Sequence, residues 1–120
     1  MARILIVDDS NMARRMLRKI LESGGHEVLD EPDGLAGLER FALEKPDLVF
    51  LDLSMPGLSG LDVLEKMRRM DPGVRVLIAT ADVQKLTREV ALAGGAAGYI
   101  IKPFEKDPVL DAVSAALKEA

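Results

Sequence analysis

The sequence predicts a doubly wound α/β domain: five parallel strands with helices packed on both faces. Three observations predict it. Short aliphatic, β-branched runs alternate with helix-length amphipathic segments along the chain. Two of the runs, Ile4–Val7 and Leu48–Leu51, are apolar at every position, as strands buried on both faces must be. No linker, repeat or low-complexity stretch breaks the alternation, so residues 1–120 are expected to form one domain.

The elements follow in order. Ile4–Val7 is the first strand. Asp9 or Ser10 caps a helix that turns Met12, Met16, Leu17, Ile20 and Leu21 inward, and Gly24-Gly25 ends it. His26–Leu29 is a short edge strand, with His26 exposed and without a role. Asp33-Gly34 opens a second helix, with Leu35, Leu38, Phe41 and Ala42 inward. The third strand, Asp47–Leu51, follows Pro46. Ser59 and Asp62 read as a capping box for a third helix with the apolar face Leu61, Leu64 and Met67. Met55, in the loop before it, shapes the turn. Asp71-Pro72-Gly73 leads into a fourth strand, Val74–Ala79. A weaker helix spans Gln84–Ala93 and stops at Gly94-Gly95. Ala97–Ile101 is the fifth strand. Asp107 as N-cap, with Pro108 at the first helical position, opens the last helix, which runs to the end of the sequence.

Composition narrows the function. The chain is 48% hydrophobic but only 3% aromatic, so its core is aliphatic. Charged residues make up 30%, and no apolar run nears the roughly 18 residues a bilayer crossing needs, so no membrane association is expected. Met1-Ala2-Arg3 leads directly into the first strand with no signal-like segment, which makes the cytoplasm the expected compartment. The absence of cysteine excludes disulfides, thiolate catalysis and zinc–cysteine sites, and one histidine cannot form a histidine metal cluster. A net charge of −4 argues against direct nucleic-acid binding, which needs a basic surface.

Ligands of open α/β sheets bind beyond the C-terminal ends of the strands. There the sequence places Asp8-Asp9 after the first strand, Asp52 after the third, Thr80 after the fourth and Lys102 after the fifth. Three clustered carboxylates repel, and burial raises their pKa values further. A divalent cation relieves both problems. Oxygen-only ligands favour Mg²⁺ or Mn²⁺ over zinc. A lysine opposite balances charge or holds a phosphoryl oxygen, and a threonine donates to another. Asp52, on a central strand, is then placed to act as a nucleophile and become an aspartyl-phosphate.

The stretches "ILIVDDS", "LVFLDLSMPG", "LIATA" and "YIIKPF", in this order and spacing, resemble the receiver domain of two-component response regulators. The resemblance covers essentially the whole chain. It implies a flavodoxin-like (βα)5 fold with strand order 2-1-3-4-5. It implies Asp52 as phosphoacceptor, and Mg²⁺ held by Asp8, Asp9, Asp52 and the backbone carbonyl of Ser54. Thr80 and Lys102 then contact the phosphoryl group, and Tyr99 is the aromatic switch that follows Thr80. Lys102-Pro103 matches a bond that is cis in many receivers. Ser54 and Asp82, each two residues beyond a site residue, are placed beside the hydrolytic water. The implied donor is a sensor histidine kinase or phosphotransfer protein acting in trans. The implied output is a downstream protein bound by the fourth helix, fifth strand and fifth helix, where Gln84, Lys85, Arg88, Tyr99 and Lys102 lie. The resemblance implies self-phosphorylation and self-dephosphorylation, not an enzyme acting on a separate substrate.

Each site residue also has an ordinary structural reading. Asp52 is a turn former after a strand, Asp8 and Asp9 are helix caps, Thr80 is a strand residue, Lys102 an edge charge and Tyr99 packing. Other aspartyl-phosphate and phosphate-binding functions want different residues at these positions. A haloacid-dehalogenase-type phosphohydrolase needs a second aspartate where Ser54 stands. A flavin mononucleotide protein needs a hydroxyl- and glycine-rich loop, not Asp8-Asp9-Ser10-Asn11. A receiver-like module that never takes phosphate, and a receiver cut from a larger regulator or hybrid kinase, stay open beside a stand-alone regulator.

Overall fold

Helices on both faces of a parallel sheet require strands that are apolar on both faces, and three strands meet that requirement. The computed structural model describes residues 1–81 and 84–118. In chain order its elements are β1 (Arg3–Val7), α1 (Asn11–Ser23), β2 (Glu27–Glu31), α2 (Gly34–Glu44) and β3 (Leu48–Leu51). They continue as α3 (Gly60–Met70), β4 (Val76–Thr80), α4 (Lys85–Ala93), β5 (Gly98–Ile101) and α5 (Lys106–Lys118). All pairings are parallel, and the order is β2-β1-β3-β4-β5, as the resemblance implies. β3 and β4 are buried at every residue, and β1 at all but Arg3.

Alternation along the strands divides the core into two layers. Ile4, Ile6, Leu48, Phe50, Leu77 and Ala79 pack against Leu17 and Leu21 of α1 and Val109 and Val113 of α5. Leu5, Val7, Val49, Leu51, Val76 and Ile78 pack on the other side against Phe41, Val63, Leu64, Met67 and Ala91. Met55 reaches into this second layer from the loop after β3.

At α1, α2 and α3 the caps fall where the sequence puts them, whereas Asp107, expected to cap the last helix, lies inside it. The Ser10 hydroxyl accepts from the Ala13 N–H (3.1 Å) and the Asp33 carboxylate from the Ala36 N–H (2.8 Å). At α3 the Ser59 hydroxyl accepts from the Asp62 N–H (3.3 Å) and donates to the Asp62 carboxylate (3.0 Å), a side-chain closure in place of the reciprocal box.

Several expectations are corrected. Met12 and Met16 of α1 face solvent, at 70% and 42% exposure, and Ala13 takes the inward position. Leu35 and Ala42 of α2 are exposed, and Leu61 of α3 is largely so. The reason at α2 is spacing: the helix comes so near β1 that a Cβ on Gly37 would stand 2.7 Å from Val7 Cγ2. Glycine occupies the contact, and the leucine is displaced to the surface. β2 runs two residues further than expected: Asp30 and Glu31 pair in register with Ile6 and Val7, and their carboxylates meet arginines. Val74 belongs to the turn, its N–H bonded to the Asp71 carbonyl (3.0 Å), so β4 starts later and includes Thr80. α5 starts at Lys106, with the Glu105 carbonyl accepting from the Val109 N–H (3.1 Å), which puts Pro108 within the first turn, where no intrahelical donor is needed. His26 is half-buried ahead of β2, its Nδ1 accepting from the Ala2 N–H (3.1 Å), and burial lowers its pKa. Among the described residues no helix is long and apolar enough to cross a membrane.

Gly37→Ala should therefore cost about 1–2 kcal/mol by urea unfolding, although alanine is the better helix former by about 1 kcal/mol. Leu35→Ala should change stability by less than about 0.5 kcal/mol. The reverse ranking would restore Leu35 as the inward residue.

Candidate functional site

The C-terminal edge of the sheet is extended one residue past β1, β3 and β5 by backbone bonds. The Asp8 N–H donates to the Glu31 carbonyl (3.2 Å), Asp52 to Val7 (2.9 Å) and Lys102 to Thr80 (2.8 Å). The side chains of Asp8, Asp52 and Lys102 thus leave backbone that is still in sheet register. Gly60 backs the loop after β3: a Cβ there would lie 2.3 Å from the Asp52 carbonyl oxygen and 2.5 Å from Leu53 Cα. Only glycine lets α3 begin that close to the residue following β3.

The predicted residues meet. One carboxylate oxygen from each of Asp8, Asp9 and Asp52 lies within 4.8 Å of the others. Asp8, Asp52 and Thr80 are buried, and Asp9 is exposed. The Asp8 carboxylate accepts from the Ser10 N–H (2.9 Å), and the Asp52 carboxylate from the Ser54 N–H (3.3 Å). Lys102 Nζ is 2.7 Å from Asp8 Oδ2 and 3.8 Å from Asp52 Oδ2. Thr80 closes β4, paired in register with Ile101, and Tyr99 pairs with Ile78 on the adjacent strand. Tyr99 is half-buried against the second core layer, so its packing reading and its switch reading share one position. Ser54 is exposed in the loop. The Lys102-Pro103 bond is cis. Asp82 lies outside the described residues.

Electrostatics single out Asp52. Burial, then the neighbouring Asp8 charge, push its pKa up from 3.8 to about 6, against the opposing pull of Lys102 and the Ser54 N–H. The residues fit a small hard cation: three carboxylates, two of them buried, with one ammonium among them and only oxygen ligands.

Sequence reasoning missed one contributor. Arg14 of α1 donates to the backbone carbonyl of Asp8 (2.6 Å). Its signal in the sequence was the pair Arg14 and Arg18, one turn apart, on a helix preceding a strand that carries Asp30 and Glu31.

The Asp52 shift yields a prediction. Folding favours its protonated form, so its stabilising contribution is complete below about pH 3.8 and is lost as pH rises through about 6. In metal-free buffer Asp52→Asn should raise stability at pH 8 by on the order of 2–3 kcal/mol, and by much less at pH 4. Equal gains at both pH values in chemical denaturation would show that Asp52 is not strained by charge.

The geometry agrees with comparisons to known proteins. Residues 4–114 match the model of the response regulator receiver domain. The chain is 36% identical to the chemotaxis protein CheY of Bacillus subtilis, over 96% of this chain and 97% of that one. It superposes with a TM-score of 0.92 on a CheY-like receiver domain protein from Methanospirillum hungatei, at 30% identity, covering 99% of this chain and 95% of that one. It also superposes on a chain of the CheX–CheY–BeF3–Mg²⁺ complex from Borrelia burgdorferi, with a TM-score of 0.91 at 29% identity, covering 94% of this chain and 87% of that one.

Proposed function

The chain belongs to the response regulator receiver domain family, and from that premise we propose that it is a phosphorylatable switch in two-component signalling, with Asp52 as acceptor. The observation that carries the proposal is the cluster of Asp8, Asp9 and Asp52 with the Lys102 ammonium set among them. The donor is a phosphohistidine on a sensor kinase or phosphotransfer protein. An Asp52 carboxylate oxygen bonds to phosphorus as the phosphorus–nitrogen bond breaks, and the imidazole keeps the electron pair. Asp8, Asp9, Asp52 and the Ser54 carbonyl would hold Mg²⁺ or Mn²⁺, which when bound supplies positive charge against the phosphoryl oxygens. Lys102 pairs with one of those oxygens, and the Thr80 hydroxyl donates to another. His26 cannot be an internal donor, because it is bonded to Ala2 at the opposite end of β1.

An apolar groove beside the acids suits an incoming donor. It holds about 360 Å³ between Met12, Ala13, Met16, Ala81, Pro103 and Phe104, with Lys102 at its edge. Exposed methionines adapt to a partner surface and need no fixed geometry.

The output follows from the added charge. A phosphoryl group brings roughly −1.5 to −2 charges at neutral pH by analogy with other phosphorylated side chains. Thr80 moves toward it, Tyr99 rotates into the space released, and the face of α4, β5 and α5 changes its preference for a protein effector. A groove of about 450 Å³ on that face is lined by Tyr99, Ile101, Pro103, Pro108 and Ala112. On this reading the protein has no separate substrate and acts in the cytoplasm, and its site would serve a stand-alone regulator. The same site would serve equally in a piece of a larger regulator or hybrid kinase.

The test is intact mass after incubation with acetyl phosphate, with and without Mg²⁺. The expected result is one Mg²⁺-dependent, base-labile phosphate on the wild type and none on Asp52→Ala. Uptake by the variant would move the acceptor elsewhere, and no uptake with any divalent metal would leave a binding module. Lys102→Ala should bind Mg²⁺ at least as tightly as the wild type by calorimetry, since its ammonium competes for Asp8, while losing the response to phosphate. Loss of metal binding in that variant would contradict the role given to Lys102.

A further inference from the structure

Asp8 keeps one backbone bond to the sheet, but Asp9 beyond it lies in the turn between β1 and α1, where neither sheet nor helix fixes the chain. Arg14 spans that turn. Its Nη1 donates to the Asp8 carbonyl (2.6 Å) and its Nη2 to Asn11 Oδ1, so one guanidinium ties the start of the turn to the first residue of α1. The remaining donor edge faces β2: Nε is 3.4 Å from Asp30 Oδ1. Asp30 is held in turn by Arg18, whose Nη2 and Nε lie 2.7 and 3.1 Å from Asp30 Oδ2, and whose Nη1 donates to the Val28 carbonyl (3.0 Å). The Arg14 side chain is only 14% exposed. A planar fork with donors on three sides can make these contacts together, and an ammonium cannot.

The geometry points to Arg14 as a positioning residue, braced by Asp30, that fixes the β1–α1 turn so that Asp8 and Asp9 present their carboxylates to a divalent cation shared with Asp52. The inference rests on the receiver chemistry proposed above. It differs in sign from a simple charge effect. Arg14 is a cation near an acidic cluster, so by Coulomb repulsion alone its removal would tighten Mg²⁺ binding. If the brace matters more, its removal weakens binding, as loss of an outer partner of a metal ligand does.

The experiment is calorimetric Mg²⁺ titration at neutral pH of the whole chain, as wild type, Arg14→Gln, Arg14→Lys, Asp30→Asn and the Arg14→Gln/Asp30→Asn pair. Amide hydrogen exchange of Ser10 and Asn11 is measured on the same proteins without metal. Arg14→Gln should weaken Mg²⁺ binding about tenfold and speed exchange at both amides. Arg14→Lys should not rescue either. Asp30→Asn should have a smaller effect, and the pair should be no weaker than Arg14→Gln alone, because both act through one contact. Unchanged or tighter binding by Arg14→Gln, or full rescue by lysine, would overturn the inference. If Arg14→Gln does not fold, Asp30→Asn decides, with unchanged affinity and exchange counting against the brace. A wild type that binds no Mg²⁺ would overturn the metal reading itself, a result distinct from intact wild-type binding with unaffected variants.

Discussion

The constraint on which the rest depends is one ammonium among three carboxylates at the edge of a parallel sheet. Burying ionised groups is expensive unless each finds a partner. Lys102 gives its close contact to Asp8, at 2.7 Å, and stands 3.8 Å from Asp52. Asp8 also takes the shorter backbone hydrogen bond, 2.9 Å against 3.3 Å at Asp52. Asp52 is the underserved member and holds its proton to about pH 6. A buried carboxylate beside a second one, with the Lys102 ammonium 3.8 Å away, gains most from any positive charge brought to it.

That tension persists only because the mount is stiff. Asp8 and Asp52 leave adjacent, fully buried strand ends, and a backbone bond from Asp52 to Val7 locks their relative height. Behind Asp52, α3 starts at Gly60 so near that no Cβ fits. The carboxylates cannot relax apart without unpairing β1 from β3 or displacing a capped helix. The apolar content of the strands serves the site as much as the core.

The strand ends were legible in the sequence because the apolar run stops abruptly there. Ile4–Val7 and Leu48–Leu51 are unbroken apolar runs, and the first polar residue after each is an aspartate that the structure brings into the cluster. Helix faces were less legible, because hydrophobicity was counted where distance decided. Gly37 lies inward and Leu35 outward, since α2 approaches Val7 too closely for a larger residue. Met12 and Met16 follow helical spacing yet point to solvent beside the site, while the smaller Ala13 is buried. The pairing of Arg14 with Arg18 shows in the sequence, but the role of Arg14 does not. Its role depends on Asp30, a residue on a strand whose expected end fell short of it.

The two edges of the sheet are built differently, and the difference suits a responsive site. On the β2 side Arg14 and Arg18 converge on Asp30, and Arg40 pairs with Glu31, so ion pairs cross from both flanking helices to the edge strand. That wall fixes Asp8 and Asp9. On the β5 side no residue of the strand is fully buried, and Ile101 is 40% exposed. This wall carries Tyr99 and leads into Lys102, and it pairs with β4 through Thr80. A site that holds a ligand needs fixed groups, and one that reports the ligand needs a neighbour that can repack at small cost. Here Asp8 and Asp9 stand against the braced edge, Asp52 follows the middle strand, and the residues proposed to sense phosphate stand towards the lightly packed edge.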